Sequence, residues 1–389
     1  MDTTAYLRDA ETTSPPSPTL ISLMCGLRKT EPSDVRIRNR MLAFSTVFFH
    51  KNISRVQLSD LTQLSRVSIS ELVSSLKENH VLTESGHVQS SGRGKKGALI
   101  SVDTEYWKII SLDLSEPYTI TGTLVNIEGE SLDSIDVAIE PPAHVTVGRV
   151  SDICSSFIEK YKDSHILGIG IAVPGIVSPD GVIIDSPSLG WSDIHLRAVL
   201  ERQFALPVTV ISESCAHTIV ERFIARSPEN TLLLDISSHV TSSLLIEDSL
   251  VLGSHHSAGS ISHVVANPHG PLCSCGKRGC IDVVFSSSAI RRLFALGKDD
   301  TDTILSTVGE ELGKTLALPC AILDTKALII NGPADIVNPI FLDAIERSLD
   351  SYLSHNASLH VSVHKSMNST STLQGVSIYV LQHALQNLF

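Results

Sequence analysis

The stretch A258-GSISHVVANPHGPLCSCGKRGCI-D282 decides how the chain is to be read. His263, Cys273, Cys275 and Cys280 form the spacing HxxxxxxxxxCxCxxxxC, four ligands of the kind that bind zinc, carried by a run of turn residues (Asn267, Pro268, Gly270, Pro271, Gly276, Gly279). The spacing suits a closed tetrahedral Cys3His site, which is structural because no position is left for a reacting water. Three unrelated core cysteines would be the alternative, but Ser274, Lys277 and Arg278 make this a polar loop with no packing reason for cysteine. One structural zinc per chain is expected. Cys25, Cys154, Cys215 and Cys320 read as packing residues, and His239, His255, His256 and His269 as surface or loop residues. Seven cysteines, three of them within eight residues, point to metal ligation in a reducing compartment and away from a disulfide framework.

On both sides of this loop, strands alternate with helices. Strands are predicted at 109–114, 118–126, 133–138, 166–172, 208–212, 231–236 and 327–331, with helices around 149–162, 197–204, 216–225, 303–318 and 340–353. Runs of strands followed by alternation imply an α/β body built from two related lobes. The longest apolar runs, such as Leu167 to Val173, are far too short for a membrane span. Residues 1–33, rich in Thr, Ser and Pro, read as a disordered leader without the pattern of a secretory signal, which places the chain in the cytoplasm.

A different pattern precedes the body. From Asp34, a plausible N-cap, Ile37, Met41, Phe44, Val47 and Phe48 follow a helical period. A second helix is predicted from Arg55 to Gln63 with Leu58 and Leu61 inward, and a third from Ser68 to Asn79 with Ile69, Leu72, Val73 and Leu76 inward. Val81 to Val102 reads as a two-stranded wing around the tip GRGKKG. The net charge of −12 argues against a nucleic-acid partner, but residues 34–97 carry +5 and the remainder −17. A helix-turn-helix lays its second helix in the major groove. The outward candidates are Arg66, Ser68, Ser70, Glu71, Ser74 and Lys77, with Arg55 beside them and Arg93, Lys95 and Lys96 at the wing tip. A helical bundle for protein contact would share the periodicity; the charge asymmetry and the Gly and Lys/Arg tip favour DNA.

With these motifs in place the chain, from about Asp34 to Phe389, resembles the ROK family of repressors, open reading frames and kinases, in its winged-helix repressor branch related to xylose and N-acetylglucosamine repressors. The carriers are S54-RVQLSDLTQLSRVSISEL-V73, G92-RGKKGALISV-D103, G168-IGIAVPGIVSPDGVIIDSPSLG-W191, the zinc segment, and A327-LIIN-G332. The resemblance implies an α/β fold: an N-terminal winged helix-turn-helix (34–104), then a two-lobed actin-like, ribonuclease H-like ROK domain (105–389). Lobe one would span about 105–210 plus a C-terminal helix, and lobe two about 211–370. It also implies a sugar cleft between the lobes and homodimers or homotetramers.

Where the kinases of the family read DIGGT, this chain has Asp113, Leu114, Ser115, Glu116 and Pro117, and where they read GTGVGAG it has Ser237 to Ser243. The glycines that let backbone amides approach phosphate are gone from both loops, so no ATP is expected. The position of the family's general base is Glu213, a degenerate base without an expected catalytic role. The sugar-binding Asn of PNLGW is Ser188, the Asn before the base is Ser212, the Glu of AGEIGH is Ser260, and the Glu of GCLE is Asp282; His263 is kept. These six residues, Ser188, Ser212, Glu213, Ser260, His263 and Asp282, form the expected effector pocket, for a sugar, sugar phosphate or other polar molecule. The expectation is a kinase-dead regulator of carbohydrate-related genes, with double-stranded DNA as partner. The alternatives are a sugar kinase with an atypical site and an effector-independent DNA-binding scaffold.

Overall fold

The computed structural model describes residues 32–87, 98–116, 118–140, 144–247, 249–353, 360–366 and 371–387. Most of the leader, and the wing tip with Arg93, Lys95 and Lys96, lie outside them.

The head begins with helix α1 (Pro32–His50), which starts two residues before Asp34. It continues through β1 (Ile53–Ser54), α2 (Arg55–Thr62), α3 (Arg66–Glu78) and the antiparallel strands β2 (Leu82–His87) and β3 (Ala98–Val102). Ser54 starts α2 with a capping box, its hydroxyl accepting from the Gln57 amide while the Gln57 side chain accepts from the Ser54 amide. Ser65 caps α3 in the same position, so that helix begins at Arg66 and not at Ser68. Leu58, Ile69, Val73 and Leu76 are buried as predicted, but Leu61 is 53% exposed and belongs to the surface. β1 pairs with β3, a third strand too short for its sequence to announce.

The turn between α2 and α3 passes through Gln63, whose φ of +57° is left-handed. A Cβ is disfavoured there. Gln63→Gly is expected to stabilise the head by about 0.5–1 kcal/mol, measured by urea denaturation. A loss of stability would mean that the hydrogen bond from Gln63 Nε2 to the Asp60 carbonyl outweighs the strain.

The body holds two five-stranded sheets. The first contains β4 (Trp107–Asp113), β5 (Thr119–Asn126), β6 (Ser131–Ala138), β7 (His165–Val173) and, after the small sheet β8 (Ile176–Val177), β9 (Ile183–Ser186) and β10 (Trp191–Ile194), strand β11 (Val208–Ser212). The second contains β12 (Thr231–Ile236), β13 (Val240–Ile246), β14 (Ser249–Leu250), β15 (Ala327–Asn331) and β16 (Ser362–Lys365). Their orders, β6-β5-β4-β7-β11 and β14-β13-β12-β15-β16, are the same topology. In each, the first three strands form an antiparallel meander and the last two are added in parallel. The two lobes are therefore copies of one unit.

Helices α4 (Val147–Lys160) and α5 (Leu196–Phe204) belong with the first sheet, and α6 (Glu213–Phe223) leaves its last strand. Helices α7 (Ile281–Phe285), α8 (Ser287–Leu296), α9 (Thr301–Leu323) and α10 (Pro339–Leu353) belong with the second. The C-terminal helix α11 (Ser371–Asn387) returns to the first lobe and crosses α6 so closely that a Cβ on Gly375 would lie 2.1 Å from the Ala216 carbonyl oxygen. No helix among the described residues is long and apolar enough to cross a membrane.

Head and body share one hydrophobic cluster. Met41, Phe44 and Val47 of α1 pack with Ile109, Val125, Leu381 and Leu385 of the body. Tyr106 stacks between His80 and His165 with ring centroids 3.8 and 3.9 Å away, and Trp107 Nε1 donates to the Asn79 carbonyl at 2.8 Å. Arg40 donates to the Leu385 carbonyl at 2.6 Å, so this cation of the basic segment is spent on the junction.

Candidate metal centre, interlobe cleft and nucleic-acid face

The loop from Gly259 to Cys280 is shaped by its own backbone. The Cys273 amide donates to the Lys277 carbonyl, the Gly276 amide to the Cys273 carbonyl, and the Ala266 and Asn267 amides both to the Gly279 carbonyl. Gly279, at φ +64°, presses so near the Asn267 carbonyl that a Cβ would fall 1.5 Å from its oxygen. This close approach folds the loop back on itself. It brings His263, Cys273, Cys275 and Cys280 together, with one ligand atom of each within 4.8 Å of the others. His263 Nδ1 is 3.4 Å from Cys273 Sγ, and Cys275 Sγ is 3.6 Å from Cys280 Sγ. A tetrahedral ion with metal–sulfur bonds of about 2.3 Å requires sulfurs roughly 3.8 Å apart, so the donor set fits a metal. Without a cation, burial and the neighbouring sulfurs push the Cys280 thiol up to about 11.

Asp282, two residues on, faces the second body turn. Its Oδ1 accepts from the Val240 amide at 2.8 Å, and its Oδ2 lies 3.2 Å from His239 Nδ1. The hydrogen bond to His239, net of burial, holds the Asp282 carboxyl below its usual range, and the same bond lifts His239 above its own. The carboxylate is thus engaged by the turn between β12 and β13.

Glu213 opens α6 at the junction of the lobes. Burial, reinforced by Asp235 and Asp113, pushes its carboxyl up to about 7, while Ser115 and His217 pull the other way. Asp113 ends β4 and Asp235 lies at the end of β12, the equivalent strand of the other lobe. His217, one turn along α6, places Nδ1 3.2 Å from Asp235 Oδ2 and pairs Nε2 with Thr372 of α11 at 2.8 Å. Burial lowers the His217 value, but the hydrogen bond and charge of Asp235 override it, so the net shift is upward. Asn331 Nδ2 donates to Asp235 Oδ2 at 2.5 Å.

Among the described residues, Ser212, His263 and Asp282 of the six expected pocket residues have separate hydrogen-bond partners. Ser212 caps α6, its hydroxyl accepting from the Cys215 amide at 3.4 Å. Ser260 is exposed on the loop that packs on β13, and His263 belongs to the sulfur cluster. Ser188 is exposed after β9, and among the described residues no hydrogen bond joins it to the other five. The sequence reading missed His217, Asp235 and Asn331. The matched positions of Asp113 and Asp235, and the i, i+4 spacing of Glu213 and His217, were the available signals.

On the head, Arg66, Ser70, Glu71 and Ser74 are exposed along one face of α3, with Ser68 and Lys77 half-buried at its edge. Lys77 Nζ and Arg55 Nη2 converge on Glu84 Oε1, at 2.6 and 3.5 Å.

The sequence pattern described as the ROK family matches residues 118–383. The chain belongs to the ROK family. The xylose repressor of Bacillus spizizenii is 25% identical to this ROK protein over 369 residues, covering 89% of this chain and 96% of that one. Among solved structures, a ROK family transcriptional regulator, homolog of the E. coli MLC protein, superposes with a TM-score of 0.74 at 19% identity over 90% of this chain and 97% of its own. A ROK hexokinase from Thermus thermophilus superposes at 0.58 and 19% identity, over 71% of this chain and 99% of its own. These structures share the fold. The enzyme matches a smaller share of this ROK chain than the regulator does.

Proposed function

We propose that this ROK protein is a DNA-binding transcriptional regulator, a repressor of carbohydrate-related genes such as those of xylose metabolism, and not a kinase. Residues 34–104 act as a winged helix-turn-helix that reads an operator, and residues 105–389 sense an effector, hold the oligomer, or do both. The observation that carries this is the head itself: α2, a tight turn, and α3 with an exposed polar face, followed by the antiparallel strands β2 and β3, between which the sequence is basic. The match to the xylose repressor runs over 369 residues and so extends beyond the body into the head. The setting is cytoplasmic, where such a protein meets DNA.

The sulfur cluster is read as one structural zinc, since soft donors and tetrahedral spacing favour that ion and leave no open position. The body is read as kinase-dead because Ser115 and Glu116 in one turn and Ser237 to Val240 in the other replace the glycines of a phosphate cradle. Leu318 and Ile322, one turn apart on α9 and 68% and 71% exposed, supply apolar surface for pairing copies into a dimer or tetramer. Ser188, Ser212, Glu213, Ser260, His263 and Asp282 remain the proposed effector residues, with Glu213 the one deepest in the cleft.

Fluorescence anisotropy with labelled genomic duplexes tests the reading. Arg93→Ala with Lys95→Ala is expected to weaken binding and lower the slope of log K against log salt by about 2; unchanged affinity and slope would remove the wing from the interface. Glu84→Gln should do the reverse. It removes a carboxylate from the DNA-facing side and releases Arg55 and Lys77, so binding to every duplex should tighten several-fold, with a steeper salt slope. Weaker binding would mean that Glu84 positions those cations productively.

A second reading, a sugar kinase, is favoured by one observation: a cleft carboxyl lifted to about 7 is suited to a general base. Coupled ADP-release assays over a panel of sugars separate the two. Turnover abolished by Glu213→Gln would establish the kinase.

A further inference from the structure

Beneath α1, where the head meets both lobes, the described residues line a partly open pocket with about 40 Å³ of room for the centres of water-sized spheres. Its walls come from parts of the chain far apart in sequence. Met41, Phe44 and Phe48 line it from the head, Ile109 from β4, Phe223 from the end of α6, and Ile378 from α11. The surface is predominantly apolar. Into this lining the protein sets Gln382, which is 1% exposed and whose side-chain carbonyl Oε1 has no hydrogen-bond partner. A buried acceptor left unpaired costs free energy that a bound donor would recover. The neighbouring amide side chain is already engaged: Asn126 Nδ2 donates to Glu130, and its Oδ1 accepts from the Glu128 and Glu130 amides.

We propose that this cavity is a second ligand site, distinct from the interlobe cleft, for a small aromatic or similarly compact apolar molecule bearing one hydrogen-bond donor, which Gln382 Oε1 accepts. The chemistry follows from the lining: dispersion contacts with Phe44, Phe48, Phe223 and Ile378 reward an apolar body, and one acceptor orients it. A polyhydroxylated sugar would strand its remaining hydroxyls against these walls.

The location gives the site a consequence. Beside the shared hydrophobic cluster, head and body are tied around the pocket by Arg40 to the Leu385 carbonyl, Lys51 to Glu128 at 3.3 Å, and Arg226 over the Phe49 ring at 4.5 Å. An occupant touching α1, β4, α6 and α11 at once joins the head to the body through its own contacts. Ligand binding therefore holds α1 against the body and restricts the pose of the head. This coupling rests on the head being the DNA-binding element only for its meaning in regulation; the site itself does not depend on that reading.

Indole and benzofuran differ by an N–H in place of a ring oxygen and serve as probes. Titration calorimetry on the full chain is expected to show saturable binding of indole, roughly tenfold tighter than benzofuran, the increment of one hydrogen bond to a buried acceptor. Gln382→Leu should keep the fold, gain thermal stability and bind both probes alike. Ile378→Trp, which fills the cavity, should bind neither. Hydrogen exchange across Pro32–His50 should slow when indole is bound to the parent protein. Absence of saturable indole binding, equal affinity for the two probes in the parent, or parent-like discrimination in Gln382→Leu would each overturn the site. Binding that leaves exchange in α1 unchanged would overturn the coupling, and none of these readouts involves DNA.

Discussion

Cys280→Ser is expected to strip the metal from the loop and destabilise the second lobe by at least about 3 kcal/mol. The argument starts from position. Cys280 is fully buried, stands at the N-cap of α7, and is followed directly by Ile281, which enters the second lobe's core with Phe285. The metal would therefore anchor a core helix as well as a surface loop. A serine oxygen is a poor substitute for a thiolate, and the three remaining donors would stay crowded with no cation to bind them. The loop's own hydrogen bonds, among them the paired amides on the Gly279 carbonyl, shape its backbone but place no cation among the crowded donors. Metal analysis should fall from one equivalent in the parent to near zero, and the melting transition should drop by roughly 6–12 °C, given about 2–4 °C per kcal/mol for a unit of this size. Ser274→Ala, beside the ligands but not among them, should change neither. A Cys280→Ser protein with parental melting and a full equivalent of zinc would overturn the assignment.

The cluster of His263 and three cysteines was legible because all four candidate ligands lie within eighteen residues of sequence, between His263 and Cys280. The α/β alternation was legible for a similar reason, since each buried strand announces itself by a local apolar run such as Thr231–Ile236. The interlobe cluster was not. It is assembled from β4, α6, β12, β15 and α11, and only the folded topology shows that Asp113 and Asp235 occupy equivalent ends of two copied strands. Asp282 was expected to face a ligand, but the local turn engages it through the Val240 amide, a contact that spans forty-two positions.

Helix α11 shows a different limit. It is packed on several sides, against α1, α6 and the first sheet, so polar Thr372, Ser377 and Gln382 are buried along with its leucines and no single apolar stripe marks it. The union of head and body was hidden for the same reason. The aromatic residues of α1 satisfy a helical period whether they pack within the head or against a second unit, and Phe44 and Phe48 turn out to serve both. Leu61, apolar but exposed, is the converse case: a helical period with only two turns to fix it cannot decide which face is inward.

Stability is expected to fall as pH rises from about 5 to 8, and Glu213→Gln is expected to remove much of that fall. Glu213 has its carboxyl raised from an ordinary 4.5 to about 7 in the folded protein. Between those values the folded chain holds a proton that the unfolded chain has released, so each step upward in pH favours unfolding. The total for this one group is on the order of 3 kcal/mol. His217 acts in the same direction. Its value is raised in the fold, so its contribution is complete below 6.5 and is lost as pH climbs through the folded value. The two protonations support each other: a neutral Glu213 relieves repulsion with Asp113 and Asp235, and a charged His217 beside Asp235 compensates the acid that remains. Glutamine keeps the shape and hydrogen-bonding capacity of the neutral carboxyl but never ionises. The variant should therefore match the parent near pH 5 and exceed it by about 3 kcal/mol at pH 8, read from urea denaturation across that range. Were the variant the weaker protein at pH 8, Glu213 would have to be an ion held by partners, and the cleft would be built to stabilise charge instead of suppressing it.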